Sequence, residues 1–476
     1  MMRGGYMGKR QTGAASMLMI LVATALGASI GASAGDFVGW RTDGSGRYPD
    51  AAPFIDWEGP AATVWSTPMP AVSNSSPVIY GERLFTTAEP STLLCLSTTD
   101  GSILWERTNN LEDLPEAADV PDMQERHERA RELRKQINQT HGTIRKAQAD
   151  LKDDPDNAEI KARIAAAREA LATLQAEVKP YNEAWYSLPD VNPTNGYASA
   201  TPACDGEYVY WVAGTGLVVC YDLEGNRQWA RVVAKPTIAW GSSSSPVVSG
   251  ETLIVQVKGM TGLDKRTGET LWEAAVPDAW GTAAVTQIGE TPVVISPSGS
   301  IVRVADGVVL ASDVAKVEFA GPLVDGDVVY FVEHGGKAIR LPGTVDEGGL
   351  TVETLWATQP NKERYYASAA LHDGLLYACT RYQVFSCIDA ADGSIVYEQN
   401  LNLGKGEVYP SITFAGGLIF AGNDGGSTVI IRPGRVYEEV ARQSSQSYRG
   451  SPVFIGDRVY IRGLQSMFCL GSGGEG

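Results

Sequence analysis

The residue types that most often do chemistry are scattered in this sequence rather than grouped. Its four histidines, His127, His141, His334 and His372, share no spacing at which two imidazoles would meet one metal ion. No Gly-x-Ser-x-Gly elbow marks a nucleophile. The run Ser242-Ser243-Ser244-Ser245 reads as a polar loop entering a strand, because other strands are entered by the same Ser-Pro pair. Asp222, Asp264 and Asp389 share one turn position, where a carboxylate commonly accepts turn amides. What remains is a set of large rings. Tyr197, Trp240, Trp280, Tyr366, Tyr409 and Tyr448 each stand a few residues before a short apolar strand, with Arg364 and Arg449 close to two of them. Rings beside cations suit the recognition of a ligand or peptide. The competing reading is that these rings wedge neighbouring sheets apart. No catalytic residue and no metal ligand is assigned.

The cysteines read as a packing signal. Cys95, Cys220, Cys387 and Cys469 sit in Leu-Leu-Cys-Leu, Val-Val-Cys-Tyr, Phe-Ser-Cys-Ile and Met-Phe-Cys-Leu, each just before a turn, where Gly262 stands in another copy. A position shared by cysteine and glycine asks for a small buried side chain. Equivalent positions in separate repeats lie too far apart for a disulfide, although Cys379 and Cys387 could bridge one hairpin.

Arg3, Lys9 and Arg10 precede an apolar run from Ala14 to Ile30, and Ala32-Ser33-Ala34 is a small-residue cleavage pattern. Residues 1–34 therefore read as a signal peptide, with an uncleaved anchor as the alternative. No cysteine lies near the junction to carry an N-terminal lipid. Losing the leader takes away three cations and moves the formal charge from −17 to −20, a surface that repels nucleic acid and anionic lipid. The expectation is a periplasmic or extracellular protein with no nucleic-acid partner and no membrane span after cleavage.

The elements that position these residues form a repeat of about forty residues. Copies begin at Ser75-Ser76-Pro77, Ala200-Thr201-Pro202, Ser245-Pro246, Thr282-Ala283-Ala284, Gly321-Pro322-Leu323, Ser368-Ala369-Ala370, Pro410-Ser411-Ile412 and Ser451-Pro452-Val453. Each carries short strands joined by glycine turns, and the alternation, as in Asp327-Val328-Val329-Tyr330-Phe331-Val332, makes two faces that only neighbouring copies can bury. The last copy supplies three strands and ends near Cys469-Leu470-Gly471. Thr63-Val64-Trp65-Ser66-Thr67 is available as its fourth, which would join the two ends of the chain in one blade.

Asp264-Lys265-Arg266-Thr267-Gly268-Glu269-Thr270-Leu271-Trp272 resembles the Asp-x-x-Thr-Gly-x-x-x-Trp repeat of pyrroloquinoline-quinone (PQQ) propellers. The opening Trp40-Arg41-Thr42-Asp43-Gly44-Ser45-Gly46 is similar to that of secreted bacterial proteins of the PQQ-like group. The resemblance implies an all-β, eight-bladed β-propeller of PQQ-like repeats. In it Trp105, Trp229, Trp272 and Trp356 dock each blade on its neighbour, Tyr397 replaces the tryptophan in another copy, and the copy at Asp306-Gly307 lacks its aromatic.

Between Glu106 and Tyr197 the strand pattern stops. Ala130, Leu133, Ile137, Thr140, Ile144, Ala147 and Leu151, then Ile160, Ile164, Ala167, Leu171, Leu174, Val178 and Tyr181, recur at spacings of three and four, which makes two helical seams. Asp153-Asp154-Pro155-Asp156-Asn157 between them supplies a stop, a turn and an N-cap. An antiparallel α-helical coiled-coil hairpin is expected, either as a decoration along the rim or as a contact arm. The domain plan is a leader over 1–34, a closing strand and first blade over 35–111, the helical insertion over 112–184 and the remaining blades over 185–476.

For function, the leading expectation is a non-catalytic scaffold for protein or ligand binding, similar to the propeller lipoprotein of the outer-membrane assembly machinery, which is lipid-anchored and lacks such an arm. Its partner would be another envelope or extracellular protein, reached through residues 112–184. The alternatives are a PQQ-dependent alcohol or sugar dehydrogenase and a small-ligand or glycan binder. A quinoprotein needs calcium held by oxygen ligands, an aspartate base and, in many relatives, a disulfide of adjacent cysteines. This chain has no adjacent cysteines and no evident Glu, Asn and Asp ligand set. No cofactor is expected, with PQQ and calcium as the alternative.

Overall fold

A computed structural model describes residues 1, 38–57, 62–120, 122–189, 191–236, 240–346 and 349–472. The expected leader, residues 1–34, lies outside the described residues apart from Met1. The rest of the chain belongs to one compact unit spanning 34–476. Its strands form seven four-stranded sheets and one five-stranded sheet among the described residues. In chain order the sheets are built on residues 78–108, 203–232, 247–274, 284–311, 323–358, 370–400, 413–444 and 453–470. Most are plain antiparallel meanders, and the innermost strands of neighbouring sheets lie against each other.

Two sheets borrow a strand from the start of the chain. Arg47–Tyr48 pairs in parallel with Thr413–Ala415 in the seventh sheet. Thr63–Pro68 pairs antiparallel with Ser466–Leu470 in the eighth, with Trp65 opposite Cys469. The two ends of the chain thus share one sheet, as the three-stranded last copy requires.

Neighbouring sheets are locked at their outer edges by tryptophan. The indoles of Trp65, Trp105, Trp229, Trp272 and Trp356 donate to the carbonyls of Thr98, Leu223, Lys265, Val304 and Ala390 in the following sheet, at 2.7–3.1 Å. Each ring lies on the turn glycine of that sheet. A Cβ would come within 2.6 Å of Trp229 at Gly268 and within 2.7 Å of Trp272 at Gly307. Both glycines have φ near +74°, so these turns exclude side chains by conformation as well as by space.

The same contacts explain the cysteines. Across each sheet Cys95 faces Trp105, Cys220 faces Trp229, Cys387 faces Tyr397 and Cys469 faces Trp65, while Gly262 and Ala338 face Trp272 and Trp356. The register shifts by a residue beside every one of these pairs. Only a small side chain fits beneath an aromatic that leans over the next sheet. All six cysteines are free and buried. Cys379 lies opposite Phe385 and Cys387 opposite Tyr377, so the hairpin bridge does not form. Burial pushes the thiols of Cys387 and Cys469 up to about 11 and that of Cys95 up to about 12, which keeps them unreactive.

A second lock runs round the inner edge. In seven of the sheets the residue two positions before the innermost strand donates its backbone N–H to a hydroxyl in the following sheet: Gly321 to Ser368, Ser368 to Ser411, Ser411 to Ser451, Ser451 to Ser76, Ser76 to Thr201, Thr201 to Ser245 and Ser245 to Thr282, at 2.8–3.1 Å. The belt passes through all the sheets and stops only between Thr282 and Gly321, where glycine offers no hydroxyl. The Ser-Pro entries of the sequence are therefore structural.

After the first sheet the chain makes two 3-10 turns, whose Leu111 and Leu114 bury against Trp105 and Tyr221. Helices α1 (Met123–Asp153) and α2 (Ala158–Glu183) follow. Asn157 caps α2 by accepting the Ile160 N–H at 2.9 Å. The seam residues are buried or half-buried, while Glu125, Arg126, Glu132 and Lys135 are exposed. Arg129 pairs with Glu177, and Arg134 bonds Asn182 at 2.6 Å. Lys235, beyond the second sheet, donates to Asn182, Ala184 and Ser187 and ties down the base of the pair. No helix among the described residues is long and apolar enough to cross a membrane.

Candidate functional site

The loops that lead into the innermost strands converge on one cavity of about 300 Å³. Of the eight predicted rim residues, Trp240, Trp280, Tyr366, Tyr409, Arg364 and Arg449 line it. Two do not. Tyr448 is fully buried, with its hydroxyl bonded to Thr428 and occupying the space that a side chain at Gly422 would take. Tyr197 is half-buried outside the lining, donating its hydroxyl to the Pro189 carbonyl at 2.8 Å. These two rings brace loops.

One wall of the cavity is aromatic. Trp280 stacks on Phe319 with centroids 5.0 Å apart, Phe319 meets Tyr366 edge-on at 5.2 Å, and Tyr366 stacks on Tyr409 at 4.7 Å. Arg364 lies over Phe319 at 5.3 Å and Arg449 over Tyr409 at 5.2 Å, within cation–π range. Trp240, 54 % exposed, stands at the mouth. The facing wall is polar. There Asn74 donates to Thr194, Asn195 and Ser199, and Arg449 reaches Asn74, Thr194 and Asp424. These bonds join the eighth sheet's loop to those of the first and second, so the polar wall coincides with the closure of the chain.

Sequence reasoning missed Phe319 and Trp40. Phe319 obeys the rule that found the others, standing two residues before Gly321-Pro322. Trp40 comes from the segment before the repeats, which runs across the inner end of the cavity. Val38 pairs with Cys204 in the second sheet, and the Arg41 guanidinium donates to Ala369 and Ile412 in the sixth and seventh at 2.7 and 2.8 Å. Trp40 is thereby fixed in the lining. Burial lowers Arg41 to about 10, opposed in part by the charge of nearby Asp43, so the guanidinium is still charged at neutral pH and is solvated by the carbonyls it donates to.

Two carboxylates, the half-buried Glu89 and the buried Glu333, hold the loops. Glu89 accepts the amides of Tyr197 and Ala198 at 2.7 Å. Glu333 accepts those of Glu318, Phe319 and Ala320 at 2.7–3.0 Å and so sets the position of the Phe319 ring. Burial, opposed by these three amides, pushes Glu333 up to about 7. The repeat-turn aspartates behave as expected. Asp264 accepts the Thr267 and Arg266 amides at 2.8 and 2.9 Å, which hold it below the ordinary carboxylate value.

A profile of the family described as outer membrane protein assembly factor BamB matches residues 191–343. Similar solved structures include BamB from Moraxella catarrhalis, at 12 % identity over 86 % of this chain and 97 % of that one, with a TM-score of 0.53. The chain is a β-propeller of PQQ-like repeats. A europium-containing methanol dehydrogenase shares the propeller fold at 13 % identity over 89 % of each chain, with a TM-score of 0.54. The quinohemoprotein alcohol dehydrogenase ADHIIG from Pseudomonas putida does so at 12 % identity over 90 % of this chain and 79 % of that one, with a TM-score of 0.50. No curated protein matches.

Those dehydrogenases raise the question of whether this propeller's cavity fits a calcium-bound quinone. Calcium takes about six to eight oxygens, several from carboxylates. The lining offers one carboxylate, Glu318, which faces Lys316 at 3.5 Å. Among the described residues no group of three or more His, Cys, Asp or Glu side chains could hold a metal ion. The donor set does not fit the pair.

Proposed function

We propose that this chain is a non-catalytic binding propeller of the periplasm or the cell exterior, exported by its leader and working without a quinone. In this reading the sheets are the eight blades of one ring, the helices are a coiled-coil hairpin projecting from it, and the axial cavity and the hairpin are the two contact surfaces. The observation that carries the reading is the cavity's chemistry. Rings, guanidiniums, amides and hydroxyls converge there with a single carboxylate, Glu318, which faces Lys316; this is a recognition set, whereas general acid–base or nucleophilic catalysis needs a base within reach of its partner. The likeness to an outer-membrane assembly factor supports an envelope protein as one partner.

The test is reconstitution. Purified protein incubated with PQQ and calcium should retain no quinone absorbance after gel filtration and should not oxidise alcohols or sugars in a dye-linked assay. Turnover would overturn the reading. For the hairpin, residues 123–183 should be replaced by a short linker, because Leu111, Leu114 and Tyr186 belong to the buried base. The arm reading expects the envelope proteins captured by the intact chain to be lost on this replacement, and an unchanged set contradicts it.

A further inference from the structure

The inner end of the cavity carries donors that the protein does not use. Ser76, Thr201, Ser245, Thr282, Ser411 and Ser451 line it, and none is more than 6 % exposed. Each hydroxyl oxygen already accepts a backbone N–H in the inner belt. Among the described residues none of these hydroxyls donates its own hydrogen to a protein acceptor. A hydroxyl has one such hydrogen, and accepting a bond strengthens its donation. Six buried donors therefore surround one end of the cavity, and Trp40 lies across that end.

The mouth has a different demand. Arg364 is exposed, lies over the Phe319 ring, and pairs with no carboxylate among the described residues. Arg449, by contrast, is held 3.4 Å from Asp424. In a chain of formal charge −17, Arg364 is the cation of this lining without a carboxylate partner among the described residues. Between mouth and base runs the aromatic wall from Trp280 to Tyr409. A ligand satisfying all three regions is rich in oxygen acceptors, has an apolar C–H face and carries one negative charge.

Resting on the reading of the cavity as a binding site, we propose that its ligand is a sugar acid, a pyranose bearing a carboxylate. The ring oxygen and the hydroxyl oxygens of the sugar meet the hydroxyl donors, the C–H face lies along the aromatic wall, and the carboxylate meets Arg364. An aryl carboxylate leaves the hydroxyls without acceptors, and a neutral sugar leaves Arg364 without a charge. A cavity of about 300 Å³ holds one or two such rings and no folded partner.

Isothermal titration of the whole exported chain with D-glucuronate, D-glucose and benzoate decides this. Glucuronate should bind at least about tenfold more tightly than either control. Arg364→Gln should bring glucuronate down to the glucose level while leaving the melting curve unchanged, since the side chain is exposed. Equal binding of glucuronate and glucose, a preference for benzoate, or a glucuronate preference that survives Arg364→Gln each overturns the proposal. A chain that ignores all three sugars and acids yet captures an envelope protein refutes the sugar-acid assignment and leaves the binding-propeller reading standing.

Discussion

The propeller uses aromatic residues at two fixed places in its repeat, and the two sets do opposite work. At the outer edge Trp65, Trp105, Trp229, Trp272 and Trp356 are buried or nearly so, each indole N–H has a carbonyl in the next sheet, and glycine or another small residue lies on both sides of the ring. At the axis Trp240, Trp280, Phe319, Tyr366 and Tyr409 are half-buried or exposed and border a cavity. A periodic aromatic is thus a rivet where the neighbouring repeat has deleted its own side chains to admit it, and a recognition surface where the neighbour has left space. Periodicity alone does not separate these cases. The companion positions do: turn glycine and strand cysteine recur with the outer rings, arginine and asparagine with the inner ones.

The largest effect in this comparison is expected at the outer edge. Trp272→Ala leaves a cavity between two sheets and removes a buried bond to Val304, and should cost about 3–5 kcal/mol of unfolding free energy in urea titrations. Loss of under about 1 kcal/mol would show that the rivets are dispensable.

The next effect links the two regions through Glu333. Its folded-state value of about 7 lies above its ordinary 4.5, so the folded protein holds this proton more tightly than the unfolded chain does. The resulting stabilisation is full below about 4.5 and is lost as pH rises to about 7. Glu333→Gln keeps an oxygen for the three amides without the charge. Between pH 4.5 and 7 its stability should gain on that of the wild type, by an amount on the order of 2 kcal/mol. Parallel pH profiles would contradict this account of the Phe319 loop.

Tyr448→Phe should cost about 1 kcal/mol through loss of the buried bond to Thr428, with no change in ligand binding, because this ring left the rim set. A binding defect would return it to the site. The smallest effect is expected from reductant. With all six thiols free and buried, dithiothreitol should leave the melting midpoint unmoved, and a shift would reveal a disulfide.

The repeat, the shared final sheet and the outer rivets were legible because each rests on local periodicity: Thr-Gly turns, alternating strands, and a last copy one strand short. The helical pair was legible from its seams. The site was legible only in part. Tyr409 and Tyr448 precede their strands by similar intervals, but Tyr448 turns inward because Gly422 and Thr428, paired across two strands of the seventh sheet, make room and a partner for its hydroxyl. Trp40 reaches the cavity through Arg41, two of whose carbonyl partners, Ala369 and Ile412, lie more than three hundred residues away in the chain. Such contacts depend on how sheets face one another, which no single repeat encodes.

The central claim is that the rings around the axis are not there to hold the sheets together. Unfolding free energies of Trp240→Ala and Trp272→Ala, measured side by side, test it most directly. The account predicts that Trp240→Ala, at an indole 54 % exposed, stays within about 0.5 kcal/mol of the wild type while Trp272→Ala loses several times that. A loss at Trp240 as large as that at Trp272 would make the axial ring a wedge between sheets and contradict the account.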